Sequence, residues 1–189
     1  MKPAKAPFRA TYFPPSDMRV ERRADGTLVV EPVTELAPFV PNLPAQLSEW
    51  AARDPDRPCI AERAGKGGPW IEYSFGQFKH AADAVAQWLI NQRLPTGRSL
   101  LILSGNSIAH AAVKFGGMAS GVPVCPVSAN YSLMPGDFGR LRHVVKLVKP
   151  AVVCADQTGL FKRALETVEF GDAVVVTADP SALTRPAIA

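Results

Sequence analysis

The chain has no apolar run approaching ~18 residues, so it offers no helix of membrane-spanning length. Cysteine is scarce: Cys59, Cys125 and Cys154 are an odd number, widely spaced, with no C-x-x-C pair. That argues against a disulfide framework and against a zinc site. His80, His110 and His143 fall on separate predicted helices without an H-E-x-x-H pairing, so they form no metal set. Neither G-x-G-x-x-G opening a helix nor G-x-x-x-x-G-K-[ST] occurs, which sets aside a dinucleotide-binding or P-loop protein. Basic residues at the N-terminus have no apolar core behind them, so no secretory signal is expected and a cytoplasmic location is. Net charge is lacking too, outside one segment. Residues 1–23 hold six basic groups (Lys2, Lys5, Arg9, Arg19, Arg22, Arg23) against Asp17 and Glu21, and this accounts for the whole net charge of +4. A frayed leader explains that arm better than a nucleic-acid contact, because no aromatic stacking platform follows it.

What is present is concentrated between Ser99 and Asp156. Leu100 to Leu103, Val122 to Cys125 and Ala151 to Cys154 are apolar on consecutive residues, as strands covered on both faces require. Between the first two, Ile108, Ala111, Ala112, Phe115, Met118 and Ala119 recur at helical spacing, with Asn106 as the expected cap and Gly121 as the stop. Between the second and third, Leu141, Val144, Val145 and Val148 form another stripe, with Asp137 as the expected cap. Strand–helix–strand repeated in this way predicts right-handed crossovers and a doubly wound, mainly parallel α/β sheet. Cys125 and Cys154 end predicted buried strands, where a cysteine acts as a small hydrophobe.

Around this centre the order is legible. Residues 1–44 are rich in proline and predict an extended leader, interrupted by a hairpin turning at Asp25-Gly26. Leu43 to Arg53 predicts a helix with Leu47 and Trp50 inward. Cys59 to Arg63 and Trp70 to Tyr73 predict two strands joined by the glycine-rich stretch 64–69, which leads into a strand and so fits a hairpin loop better than a phosphate cradle. Ser74 and Gln77 form a capping box ahead of a helix reaching about Arg93. A further helix carries Leu160, Phe161, Ala164, Leu165 and Val168, and Ala173 to Thr177 predicts a fourth strand. Two loops lie at the carboxyl edge of the sheet, where open α/β sheets bind ligands. Ser104–Ser107 suits a connector and cap first and an anion site at the helix N-terminus second, and Ser128–Leu133 supports connector or ligand contact equally. Arg140, Arg142, Lys146 and Lys149 give the middle helix a basic outer face, normally solvated but usable by a phosphate-rich cofactor.

The stretches Leu103-Ser104-Gly105-Asn106-Ser107-Ile108-Ala109-His110 and Gly121 to Leu133 resemble feruloyl-CoA synthetases of the AMP-forming acyl-CoA synthetase superfamily. Asp25-Gly26, Ala52 to Pro58, Ala61-Glu62-Arg63, Tyr73-Ser74 and Leu141-Arg142-His143 extend the resemblance over roughly residues 19 to 177. It implies a large-domain scaffold: a Pro-rich leader over 1–42, the N-terminal part of the AMP-binding domain over 43–177, and an irregular tail over 178–189.

The resemblance also implies a reaction. An aromatic carboxylic acid attacks ATP, with magnesium, to give acyl-adenylate and pyrophosphate, and the thiol of coenzyme A then displaces AMP. Such chemistry needs a loop whose N–H groups hold the phosphates. In this family that loop reads like Thr-Ser-Gly-Ser-Thr-Gly-x-Pro-Lys-Gly, and no such string occurs among the 189 residues. On this reading the chain ends shortly before the loop would begin. The resemblance therefore assigns no catalytic, cofactor-binding or metal residue, and the expected cofactors of the intact enzyme, ATP, magnesium and coenzyme A, are not expected to bind here. The alternative is a non-catalytic interaction module derived from the same scaffold. Leaving ~1,000 Å² of apolar sheet face open would forfeit about 25 kcal/mol at ~25 cal/mol/Å², against a usual stability of ~5–15 kcal/mol, so a homo-oligomer or aggregate is expected. Neither nucleic acid nor membrane is an expected partner.

Overall fold

The computed structural model describes residues 17–189. Expectations for Lys2, Lys5, Arg9 and the prolines at 3, 7, 14 and 15 lie outside the described residues. Two compact units divide the chain, residues 1–39 and 40–189.

Within the first unit, β1 (Met18–Arg22) pairs antiparallel with β2 (Leu28–Pro32), Val20 opposite Val30. The turn falls at the expected Asp25-Gly26: Gly26 has φ 86°, and Asp25 Oδ1 accepts the Thr27 N–H at 2.9 Å. One face of the ribbon carries the Arg19–Glu31 ion pair at 2.7 Å.

The second unit is built on four parallel strands, β5 (Ser99–Leu103), β6 (Val124–Val127), β7 (Pro150–Ala155) and β8 (Val174–Thr177), in the order β6-β5-β7-β8. Before them come α1 (Leu43–Arg53), the antiparallel pair β3 (Pro58–Arg63) and β4 (Trp70–Ser74), and α2 (Phe75–Asn91). Between the parallel strands run α3 (Ile108–Ala119), the single turn α4 (Asn130–Leu133), α5 (Gly139–Val148) and α6 (Thr158–Thr167).

Strand periodicity decides which helix covers which face. Leu100, Ile102 and Val152 point to one side and pack with Leu89, Trp88 and Val113 of α2 and α3. Leu101, Leu103, Val153 and Val175 point to the other and pack with Leu141 and Val145 of α5 and Phe161 and Leu165 of α6. Helices thus flank both faces, as the consecutive apolar runs require. A third cluster joins Leu47, Phe78 and Ala112, with the half-buried Ile60 and Tyr73 of the β3–β4 pair against it. The capping box is as expected: Ser74 Oγ accepts the Gln77 N–H and Gln77 Oε1 accepts the Ser74 N–H.

Three boundaries differ from the sequence expectation. α3 is capped by Ser107, not Asn106, because the chain is still extended at Ser107, whose hydroxyl accepts the His110 N–H at 3.0 Å. β6 begins at Val124 rather than Val122. Gly121 (φ 74°) turns the chain and the Pro123 carbonyl already accepts the Leu100 N–H, so the strand runs on through Pro126. Proline fits there because β6 is an edge strand and one side of it needs no N–H. Asp137 accepts the Gly139 N–H at 3.0 Å but precedes the cap position, which the buried, left-handed Phe138 (φ 61°) occupies.

Residues 178–189, which show no periodicity, hold a 3-10 turn at Pro180–Ala182 and a parallel bridge from Ile188 to Val176 beside β8. Ile188 donates to the Val175 carbonyl and accepts from the Thr177 N–H, both at 2.9 Å.

Candidate functional site

All four parallel strands end at the same edge, where β5 hands on to Ser104, β7 to Asp156 and β8 finishes at Thr177. The chain leaves β5 towards β6 on one side and comes back to β7 on the other. The reversal opens a crevice between the ends of β5 and β7, the position where open α/β sheets take ligands.

Side chains at that crevice are closely tied. Asp156 Oδ2 accepts from the Ser104 hydroxyl at 2.6 Å and from the Ser107 hydroxyl at 2.7 Å. The same Ser107 hydroxyl caps α3, so one carboxylate joins β7, the β5–α3 turn and the helix start. Asp156 Oδ1 and His110 Nδ1 are buried and have no hydrogen-bond partner among the described residues. Both residues line a cleft of about 260 Å³ whose other walls include Ile102, Val113 and Val176. Cys154 lines it too, and burial first, then the Asp156 charge, push its thiol up to about 11. At the end of β8, Thr177 Oγ1 lies 2.6 Å from Thr158 Oγ1, and the Asp179 N–H donates to the latter at 2.8 Å.

The N-terminus of α3 already has its anion. Glu62 of β3 reaches across with Oε2 2.7 Å from the Ile108 N–H, supplying the negative charge that the helix dipole favours. The anion-site alternative for Ser104–Ser107 is therefore corrected: the segment caps and connects, and an internal carboxylate fills the place of a ligand. Within Ser128–Leu133, residues Asn130–Leu133 form α4, with Tyr131 beside Arg140 (5.5 Å from guanidinium to ring centre). Of the basic face, Arg142 is committed to the carbonyls of Asp137 and Thr167, both at 2.9 Å, while Arg140 and Lys146 are exposed. The stretch 64–69 closes the β3–β4 hairpin, Arg63 holding the Gly68 carbonyl at 2.9 Å.

ATP with magnesium needs a loop of free N–H groups around the phosphates and carboxylates or cations beside them. Among the described residues no group of three or more His, Cys, Asp or Glu stands together to hold a metal. With α3 occupied by Glu62 and the glycine-rich stretch closed into a hairpin, the described residues do not fit that group. No helix among the described residues is long and apolar enough to cross a membrane.

Solved structures similar to this fold include an AMP ligase and an adenylation domain. A fatty acid AMP ligase from Legionella pneumophila superposes with TM-score 0.60 at 15% identity, over 71% of this chain and 23% of its own. VinN in complex with 3-methylaspartate gives 0.58 at 18% identity, over 72% and 34%. An artificially fused adenylation–PCP di-domain, NpsA-ThdA from Klebsiella oxytoca, gives 0.55 at 18%, over 72% and 22%. The chain thus spans between about a fifth and a third of these proteins' lengths. No curated protein matches it in sequence. The AMP-binding enzyme family matches residues 47–187, from the buried Leu47 of α1 to the residues beside β8, and the chain belongs to that family.

Proposed function

We propose that this chain is the N-terminal part of an AMP-forming acid–CoA ligase of the feruloyl-CoA synthetase kind, activating an aromatic carboxylic acid, and that it does not turn over ATP by itself. The family membership over residues 47–187 carries the first half of this reading. The resemblance of residues 103–110 and 121–133 to feruloyl-CoA synthetases supports the substrate class. The second half rests on chemistry. Transfer of the adenylyl group requires donors aimed at charge that develops on the phosphates, and removing even one such donor typically costs ~10²–10³ in rate. Here the whole phosphate-binding string is missing from the sequence.

What the chain's own residues contribute is a scaffold. The Asp156–Ser104–Ser107 bridge and the Glu62 cap hold the carboxyl edge of the sheet in one arrangement. The test is ATP–pyrophosphate exchange with ferulate. The purified chain should give no exchange above the blank, and ferulate-dependent exchange by it would overturn the incompleteness. A chimera carrying residues 43–177 in place of the corresponding segment of a feruloyl-CoA synthetase should keep ferulate-dependent exchange. Loss of exchange in a folded chimera would overturn the substrate assignment.

A further inference from the structure

The β1–β2 ribbon leaves one edge able to take another strand. The Val33 N–H donates to the Asp17 carbonyl at 3.0 Å and the Arg23 N–H to the Thr27 carbonyl at 2.9 Å. Between them the register sets Arg19 opposite Glu31 and Glu21 opposite Val29. In an antiparallel pair, residues bonded in this way alternate with residues whose N–H and C=O point outwards. Met18, Val20 and Arg22 therefore turn their main-chain groups away from β2, and Leu28, Val30 and Pro32 turn theirs away from β1. Every residue of β1 is exposed, Val20 at 59%. No third strand pairs with the ribbon among the described residues. Two strands alone are marginal in water, and an open edge is a template for another strand.

The two edges are not equivalent. That of β2 ends in Pro32, which has no N–H to give, and its Glu31 already pairs with Arg19. β1 contains no proline, and its sequence Met-Arg-Val-Glu-Arg is complementary in charge to itself read backwards. When two β1 strands run antiparallel about Val20, Arg19 faces Glu21 of the second copy, and Glu21 faces its Arg19. Met18, Val20 and Arg22 then exchange main-chain hydrogen bonds across the seam. Opposite charges set directly across a strand pair stabilise it, and like charges there destabilise it. An axis at Arg22 would set that residue against its own copy. Only the axis at Val20 overlaps the whole of β1.

We propose that β1 pairs with β1 of a second copy of this chain, antiparallel about Val20, joining two ribbons into one four-stranded sheet. Five residues a side fall well short of the ~20–30 of a standard interface, so the contact is weak and exchanges readily. It stands apart from the ligase reading above and would survive if that reading fell.

The experiment traps the seam covalently in the full chain. One preparation carries Arg19→Cys and the other Glu21→Cys, and each alone or both mixed are oxidised with glutathione disulfide. Covalent dimer is then read on a non-reducing denaturing gel. In the mixture the two introduced thiols lie directly opposite, with Cα atoms ~4.5 Å apart, within disulfide reach. In either preparation alone the like positions are diagonal, at ~7–8 Å, and out of reach. The mixture should give about tenfold more dimer than either variant alone. Cys59, Cys125 and Cys154 supply the same background in every arm. Adding Val20→Pro to both preparations removes an N–H that only the seam uses and should return the yield to that of the separate variants. Val30→Pro, whose N–H faces the far edge, should leave the yield unchanged. A mixture that gives no more dimer than its components overturns the proposal, as does an undiminished yield with Val20→Pro. The mixing comparison decides the matter alone if the proline variants lose the hairpin.

Discussion

Lys149 holds a backbone conformation that its side chain does nothing to favour. It is the C-cap of α5, left-handed at φ 45°, with its N–H still donating to the Val145 carbonyl. A non-glycine residue there costs ~1–2 kcal/mol, against ~0.5–1 kcal/mol that glycine loses in the unfolded state. Lys149→Gly should therefore raise stability by about 0.5–1 kcal/mol, seen as a higher urea midpoint. Its contacts survive, since Arg98 Nε donates to the backbone carbonyl of Lys149. Cys154 gives the opposite kind of forecast. With its thiol pushed up to about 11, only about one part in a thousand is thiolate at pH 8. In a chain lacking Cys59 and Cys125, Ellman's reagent should label it at least ~100-fold more slowly in the native state than in guanidinium; comparable rates would contradict the buried setting. At this scale the sequence was only half transparent. Ser74 and Gln77 signal their cap through spacing alone, whereas Glu62 and Asp156 act on partners 46 and up to 52 positions away, which no local pattern encodes.

Elements were more legible than residues, for a simple reason. Buried strands and amphipathic helices write their burial into periodicity, and β5, β7, α1 and α2 lie close to where the pattern puts them. β6 shifted because apolarity does not distinguish Val122 in a turn from Val127 in the strand. The turn at Gly121 and the Pro123 carbonyl decide that, and both depend on where β5 lies. The glycine pair in α3 shows what the pattern conceals. A Cβ at Gly116 would sit 2.6 Å from the Cβ of Val85 and 2.8 Å from the Ala82 carbonyl oxygen, and one at Gly117 would sit 2.4 Å from Val124. Neither the branch point of Val85 nor the α2 backbone can retreat. Gly116→Ala gains ~1 kcal/mol in helix propensity yet should lose more by overpacking, for a net destabilisation of about 1–3 kcal/mol by thermal denaturation. A neutral result would mean that α2 and α3 are free to separate.

Across the whole second unit, the sheet is tied at both ends of its strands. Ser104 and Asp156 join the carboxyl ends of β5 and β7. At the opposite edge Arg98 donates to the carbonyls of Lys149 (2.7 Å) and Pro150 (2.5 Å) and pairs with Asp172 at 2.6 Å. The Arg98 hydrogen bond holds the Asp172 carboxyl below its ordinary 3.8. A depressed carboxyl stabilises the fold above its unfolded pKa and loses that contribution as pH falls through the folded value. Asp172→Asn should therefore lower the urea midpoint at pH 7, and its deficit should close as the pH drops below 3.8. A deficit constant with pH would assign the effect to something other than this pair.

The two flanks of the sheet are also closed to growth. On one, Pro126 in β6 offers a ring where an incoming strand would look for an N–H. On the other, Ile188 already occupies the main-chain groups of Val175 and Thr177. Self-association through this sheet would then stack apolar faces rather than lengthen it, yielding amorphous or discrete assemblies without the 4.7 Å repeat of a cross-β fibre.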